Sequence, residues 1–145
     1  MKGSCACSAV TWRGTPSTQP LDLCYCHTCQ RVSGAPFIAW LAIESKKHWL
    51  TWTGTVASFS VSELATRGFC GACGSTLSMQ YHCYPDKIHL AVGSVVEGGE
   101  GLPLVGNHIF VGEKAGWYVI PEDGVARWEG FDPGFRAVLE RWRRG

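Results

Sequence analysis

Cysteine spacing constrains this chain more than any other feature. Cys24-Tyr25-Cys26-His27-Thr28-Cys29 places three thiols within six residues. On extended backbone, side chains two apart share a face, so Cys24 and Cys26 are expected to point the same way. Cys29 follows at the spacing of a metal knuckle, where the chain turns and brings a third sulfur to the same point. Three sulfurs can hold one zinc ion and leave a fourth position for an exchangeable ligand, which is the habit of catalytic rather than structural zinc.

Cys70-Gly71-Ala72-Cys73-Gly74 is a zinc knuckle, with glycine placed to turn the backbone at positive φ. A knuckle supplies two ligands and needs two more. Cys5-Ala6-Cys7 offers two sulfurs on one face of an extended segment. Grouping Cys5, Cys7, Cys70 and Cys73 makes a closed four-sulfur site that staples the N-terminal segment to the middle of the chain. In another partition, Cys5 or Cys7 completes the first trio. That strands one thiol and leaves the knuckle with three ligands, so four plus three is the simpler division. The competing readings are reduced buried cysteines, or iron in the four-sulfur site. Cys83 remains, and a lone cysteine reads as a small buried hydrophobe.

The rest of the composition describes an ordinary globular chain. Its 145 residues are 46% hydrophobic and 17% charged, enough for a sizeable core, and residues 1–145 read as one domain. The formal net charge of +1 gives no support for nucleic-acid binding, which needs a clear basic excess. No apolar run follows Met1, so no signal peptide is expected. The apolar run Ala35 to Ile43 contains a proline and is too short to span a bilayer. These readings predict a cytoplasmic protein, where eight cysteines are better explained by metal than by disulfides.

Gly and Pro punctuate many short β-rich segments. Strands are expected at Ser8 to Arg13, Leu21 to Cys26, Phe37 to Ile43, His48 to Trp52, Thr55 to Ser62, Thr66 to Phe69, Thr76 to Tyr81 and Lys87 to Val92. Phe37 to Ile43 is apolar throughout and reads as buried on both faces. His27 to Ser33 reads as a short helical turn, and Gly98 to Gly101 as a surface loop. A strong helical pattern occurs only at the C-terminus, over about 132–144. Asp132 suits its cap and Pro133 its first position, and Phe135, Val138, Leu139 and Trp142 share a face.

Four segments carry a resemblance. They are Gly3-Ser4-Cys5-Ala6-Cys7, Cys24 to Arg31, Ser33-Gly34-Ala35-Pro36-Phe37, and Arg67-Gly68-Phe69-Cys70-Gly71-Ala72-Cys73-Gly74-Ser75. With Asp86 to Ser94, Asn107-His108-Ile109-Phe110 and Lys114 to Trp117, they resemble the glutathione-dependent formaldehyde-activating enzymes, also called the centromere protein V type domain. The match runs in order over about residues 3–120. It implies a mainly β fold of twisted antiparallel sheets clamped by a four-cysteine zinc site (Mss-four-like, of β-tent type), with the C-terminal helix added. Methionine sulfoxide reductases and a zinc-binding Rab accessory protein share that architecture. The resemblance implies that Cys5, Cys7, Cys70 and Cys73 are structural, and that Cys24, Cys26 and Cys29 hold a catalytic zinc. Ser8 stands where the family usually has glycine, and Tyr25 where histidine is common.

Three thiolates on Zn²⁺ leave a net negative charge, which weakens the metal toward water but keeps it a good partner for a soft thiol. The resemblance implies a carbon–sulfur lyase that joins a small thiol such as glutathione to formaldehyde or another small carbonyl compound. Zinc is then the cofactor and glutathione a possible co-substrate. An anionic thiol needs cations, for which Arg31, Lys46, Lys47, Arg67 and Lys114 are candidates. Arg31 ranks first, two residues past the third ligand. For the proton donor, His108 ranks above His48, His82 and His89, and His27 lies inside the metal loop. Trp40 and Trp117 are candidate pocket walls. The alternatives are a same-fold enzyme with another substrate and a non-catalytic module that binds a protein. A binding module has no use for a second thiol cluster. A methionine sulfoxide reductase would need a redox cysteine apart from any metal, a role for which Cys83 alone is weak support.

Overall fold

The computed structural model describes all residues 1–145. In chain order the strands are β1 (Lys2–Ser4), β2 (Thr11–Gly14), β3 (Leu21–Cys24), β4 (Ile38–Ile43), β5 (Leu50–Thr53), β6 (Val56–Phe59), β7 (Ala65–Cys70), β8 (Thr76–Tyr81), β9 (Ile88–Ala91), β10 (Val95–Glu97), β11 (Val105–Ile109) and β12 (Ala126–Arg127). The helices are α1 (His27–Ser33), α2 (Lys46–Trp49) and α3 (Pro133–Arg143). The protein is therefore mainly β with a short C-terminal helix. It divides into two compact units, Met1–Gln19 with Trp40–Pro103, and Pro20–Ala39 with Leu104–Gly145.

In the first unit all strand pairing is antiparallel. One sheet has the order β10-β1-β2-β5, and a second set runs β4-β9-β8-β7-β6. Alternation turns Trp12 inward, opposite Gly3 in the β1–β2 register. A Cβ on Gly3 would lie 1.9 Å from the indole nitrogen, so only glycine admits the ring there. The indole N–H donates to Ser94 Oγ at 3.0 Å, and Ser94 donates onward to the Ala91 carbonyl. β4 is buried along nearly its whole length, as its unbroken apolar sequence predicts.

The second unit departs from antiparallel pairing. β11 runs parallel to β3 and parallel to β12. Strands this far apart in sequence can pair parallel because long connections return the chain to the same end. α3 starts where the sequence placed it. Asp132 accepts from the Gly134 and Phe135 amides, Pro133 opens the helix, and Leu139 is buried.

One expected strand is instead partly helical. His48 and Trp49, the first two residues of the expected strand His48 to Trp52, belong to α2, and β5 begins at Leu50. The reason lies forty residues away in sequence: Asp86 accepts from Ser45 Oγ at 2.6 Å and from the Lys47 amide at 3.2 Å, and its carbonyl takes the Lys46 amide at 2.8 Å. A side chain capping from another loop leaves no local signature. β1, β10, β11 and β12 were also invisible in the sequence, being short and without clear alternation.

Candidate metal centres

The four-thiol cluster is built in the first unit. Cys5 follows β1, and Cys70 ends β7. Both are buried, whereas Cys7 and Cys73 are exposed. Cys7 Sγ lies 3.7 Å from Cys5 Sγ and 3.8 Å from Cys70 Sγ. All four sulfurs fall within 4.8 Å of one another, close enough to share one metal ion. The knuckle is shaped by backbone bonds: Gly74 N–H donates to Cys70 O at 2.7 Å, with Gly74 at φ +78°. Ser75 joins the two arms, since its Oγ accepts from the Ala6 amide at 2.9 Å and lies 3.1 Å from Cys73 Sγ. The cluster rests on a small core of Cys5, Val10, Cys70 and Leu77, with Trp52 and Val56 against it.

The thiols share their protons unevenly. The Ser75 hydroxyl and amide hold Cys73 down to about 5. Against a lowering bond from the Ala9 amide, Cys73 and Cys5 push Cys7 up to about 11. Four crowded sulfurs cannot all ionise without a cation, and an ion that accepts sulfur in a tetrahedron fits this donor set.

Ser8 closes the first arm at φ +65°, a conformation that favours glycine. Its amide donates to Cys5 O at 3.2 Å, which fixes the turn. Ser8→Gly is expected to stabilise the protein by roughly 0.5–1 kcal/mol, read from denaturant unfolding of the metal-loaded protein. An unchanged or lowered midpoint would mean that the turn stores no strain.

The three-thiol cluster is built in the second unit. Cys24 ends β3, Cys26 caps α1 and Cys29 lies within α1. The expected extended run through Cys26 stops two residues early. Cys26 nevertheless keeps extended backbone (φ −62°, ψ 154°) at the strand-to-helix corner, and its sulfur falls beside that of Cys24 as expected. Its Sγ accepts from the Cys29 amide at 3.3 Å. Gly34 ends the helix in the left-handed conformation and donates to Gln30 O at 2.8 Å. The three sulfurs lie within 4.8 Å of one another. Hydrogen bonds that the Cys24 thiol donates to the Cys26 and Cys29 sulfurs, with burial, push it far up. Cys24 therefore keeps its proton until a metal displaces it.

Tyr25, between the first two sulfurs, is 0% exposed. Its Oη lies 2.9 Å from His108 Nδ1, and His108 Nε2 lies 2.8 Å from Asp123 Oδ2. Val125 N–H and His108 hold the Asp123 carboxyl below its usual range, and burial pushes the Tyr25 phenol up to about 12. His108 is 1% exposed with both ring nitrogens engaged, so it meets Tyr25 and Asp123 rather than an open face. The Tyr25 ring packs at 5.4 Å on Phe37 and 6.1 Å on Tyr118. Trp117 lies edge-on to Tyr118 at 6.0 Å and is 74% exposed.

The other expected residues are dispersed. Arg31 is exposed in the last turn of α1. His27 lies 3.4 Å from Glu113 Oε1. Lys46 donates to Gln80, and Lys114 to the Ala115 and Tyr118 carbonyls. Arg67 is buried in the first unit, its guanidinium carbon 5.9 Å from the Trp40 ring. Cys83 is half-buried and joins neither cluster. Asp123 was missed by sequence reasoning, because nothing near it in sequence marks it.

A family model described as "Glutathione-dependent formaldehyde-activating enzyme" matches residues 1–113, which contain both clusters. The chain belongs to that family. It is 30% identical over 80 residues to an uncharacterized lyase of Schizosaccharomyces pombe. That alignment covers 55% of this chain and 57% of the relative, so the chain spans little over half of the curated relative it matches. A crystal structure of a Rhodobacter sphaeroides protein shares the fold, with a TM-score of 0.50 and 24% identity over 88% of this chain and 99% of that one. No helix is long and apolar enough to cross a membrane.

Proposed function

We propose that the protein is a zinc-dependent carbon–sulfur lyase that joins a small thiol of the glutathione class to formaldehyde or another small carbonyl compound, and that residues 1–145 serve this as one functional domain in the cytoplasm. One observation carries the reading: the chain holds two thiol clusters of unequal size, four sulfurs in one and three in the other. Four cysteines complete a tetrahedron and suit a structural ion, while three leave one position to a substrate. Family membership and the lyase name of the relative support the same reaction class.

Cys5, Cys7, Cys70 and Cys73 would hold the structural ion, and Cys24, Cys26 and Cys29 the catalytic one. A zinc ion on the trio would supply a soft Lewis-acid anchor that lowers the pKa of an incoming thiol. The thiol sulfur then adds to the carbonyl carbon. The new carbon–sulfur bond forms as the C=O π bond opens, and the thiol proton ends on the oxygen, giving a hydroxymethyl thioether. Arg31, exposed just past Cys29, is suited to meet a substrate carboxylate. His108 is assigned to the same machinery, acting through Tyr25. Phe37, Tyr118 and Trp117 make an aromatic wall beside Tyr25 that would limit water near the reacting carbon.

The test measures zinc content together with thiol-dependent consumption of formaldehyde. About two zinc ions per chain and glutathione-dependent aldehyde loss are expected. Full zinc loading with no thiol adduct, across several small thiols and carbonyls, would overturn the reading in favour of a binding module.

A further inference from the structure

We infer that Asp123, His108 and Gln30 form a brace that acts through Tyr25 to set the metal affinity of the Cys24, Cys26 and Cys29 cluster. The inference rests on the reading of that cluster as a metal site. Every polar atom of Tyr25 is tied down. Its amide donates to Ile109 O at 3.0 Å, its carbonyl accepts from Gln30 Nε2 at 2.6 Å, and its Oη meets His108 Nδ1 at 2.9 Å. Gln30 is itself anchored, since its amide nitrogen also donates to Glu113 O at 2.9 Å.

The direction of the chain follows from its end. A carboxylate can only accept, so His108 Nε2–H donates to Asp123, leaving Nδ1 as the acceptor for the Tyr25 hydroxyl. Asp123 thus selects the imidazole tautomer that can hold Tyr25. Cys24 and Cys26 are the covalent neighbours of Tyr25, so fixing its ring and both its peptide groups fixes the backbone that carries two of the three sulfurs. Carboxylate–histidine pairs behind metal sites ordinarily act on the ligand itself. Here the pair acts on the residue between two ligands. Asp123 lies outside residues 1–113 that match the family, and Tyr25 stands where the resemblance leads one to expect histidine. Asp123 therefore joins the brace from outside the segment that the family model matches. Asp123, His108 and Gln30 are positioning residues in this scheme, since none is required to touch substrate.

The test is titration of the whole metal-free protein with cobalt(II), followed by zinc competition against a chelator, for wild type, Tyr25→Phe, Asp123→Ala and Asp123→Glu. Asp123 sits in an exposed segment, so its replacement spares the core. In wild type a second equivalent of cobalt should give a thiolate charge-transfer band. Tyr25→Phe and Asp123→Ala are expected to weaken that second equivalent about tenfold and to shift its band, to leave the first equivalent unchanged, and to recover in part in Asp123→Glu. Wild-type affinity and spectrum in both weakened variants would overturn the brace even if their melting temperatures fell, because a merely structural role moves melting and not the second metal. Failure of wild type itself to take a second metal would overturn the metal reading of the trio, and the brace with it.

Discussion

Cys70→Ser is expected to abolish cooperative folding. Cys70 is 1% exposed, ends β7 and belongs to both the four-thiol cluster and the small core beneath it. A structural zinc contributes on the order of 10 kcal/mol to folding, whereas a whole domain is stable by about 5–15 kcal/mol. Loss of one ligand therefore removes most or all of the margin. Packing alone gives a smaller effect, since a buried cysteine is a small side chain whose replacement costs a few kcal/mol. Cys73→Ser separates the two causes. Cys73 is exposed, so its sulfur contributes little burial, yet it is one of the four thiols close enough to share an ion. Calorimetric unfolding and zinc analysis should show both variants collapsing together with loss of the same ion. Destabilisation confined to Cys70→Ser would mean that the cluster is core and not a metal cage.

Cys26→Ser is expected to give the opposite pattern, with activity lowered more than about 100-fold and the fold kept. Cys26 caps α1, where its sulfur accepts the Cys29 amide at 3.3 Å. Serine is among the best residues at a helix cap, so its hydroxyl can take over that bond. As a zinc ligand it is poor, because its hydroxyl does not ionise as a thiol does. Thermal unfolding should match wild type within a few degrees while zinc falls by about one equivalent and formaldehyde turnover disappears. Should Cys26→Ser melt as badly as Cys70→Ser, the two clusters do not divide structure from catalysis.

The contrast rests on residues that are legible in the sequence. Both clusters group as their spacing implied, and α1 spans His27–Ser33 as expected. Cysteine spacing is readable because each cluster is assembled mainly from near neighbours, and the one long step, from Cys7 to Cys70, is suggested by a knuckle that lacks two ligands. The helix α3 was readable for a similar reason, its cap, proline and apolar face all lying within one short segment. Elements built from distant parts were not readable. α2 is capped by Asp86, β10 exists only as an edge to β1, and β11 finds β3 in parallel across most of the chain.

The order of residues alone therefore determined the metal chemistry available to this protein: two sets of closely spaced thiols, four plus three as their simplest division, and zinc as an ion that suits both. Only the tertiary structure decided what surrounds the trio. It engaged both nitrogens of His108, left Arg31 in solvent, and brought Asp123 across fifteen residues to the far side of the imidazole. Ligand geometry follows from backbone bonds a few residues long, whereas the partner of a buried imidazole is whichever side chain the packing delivers, and no local pattern encodes it.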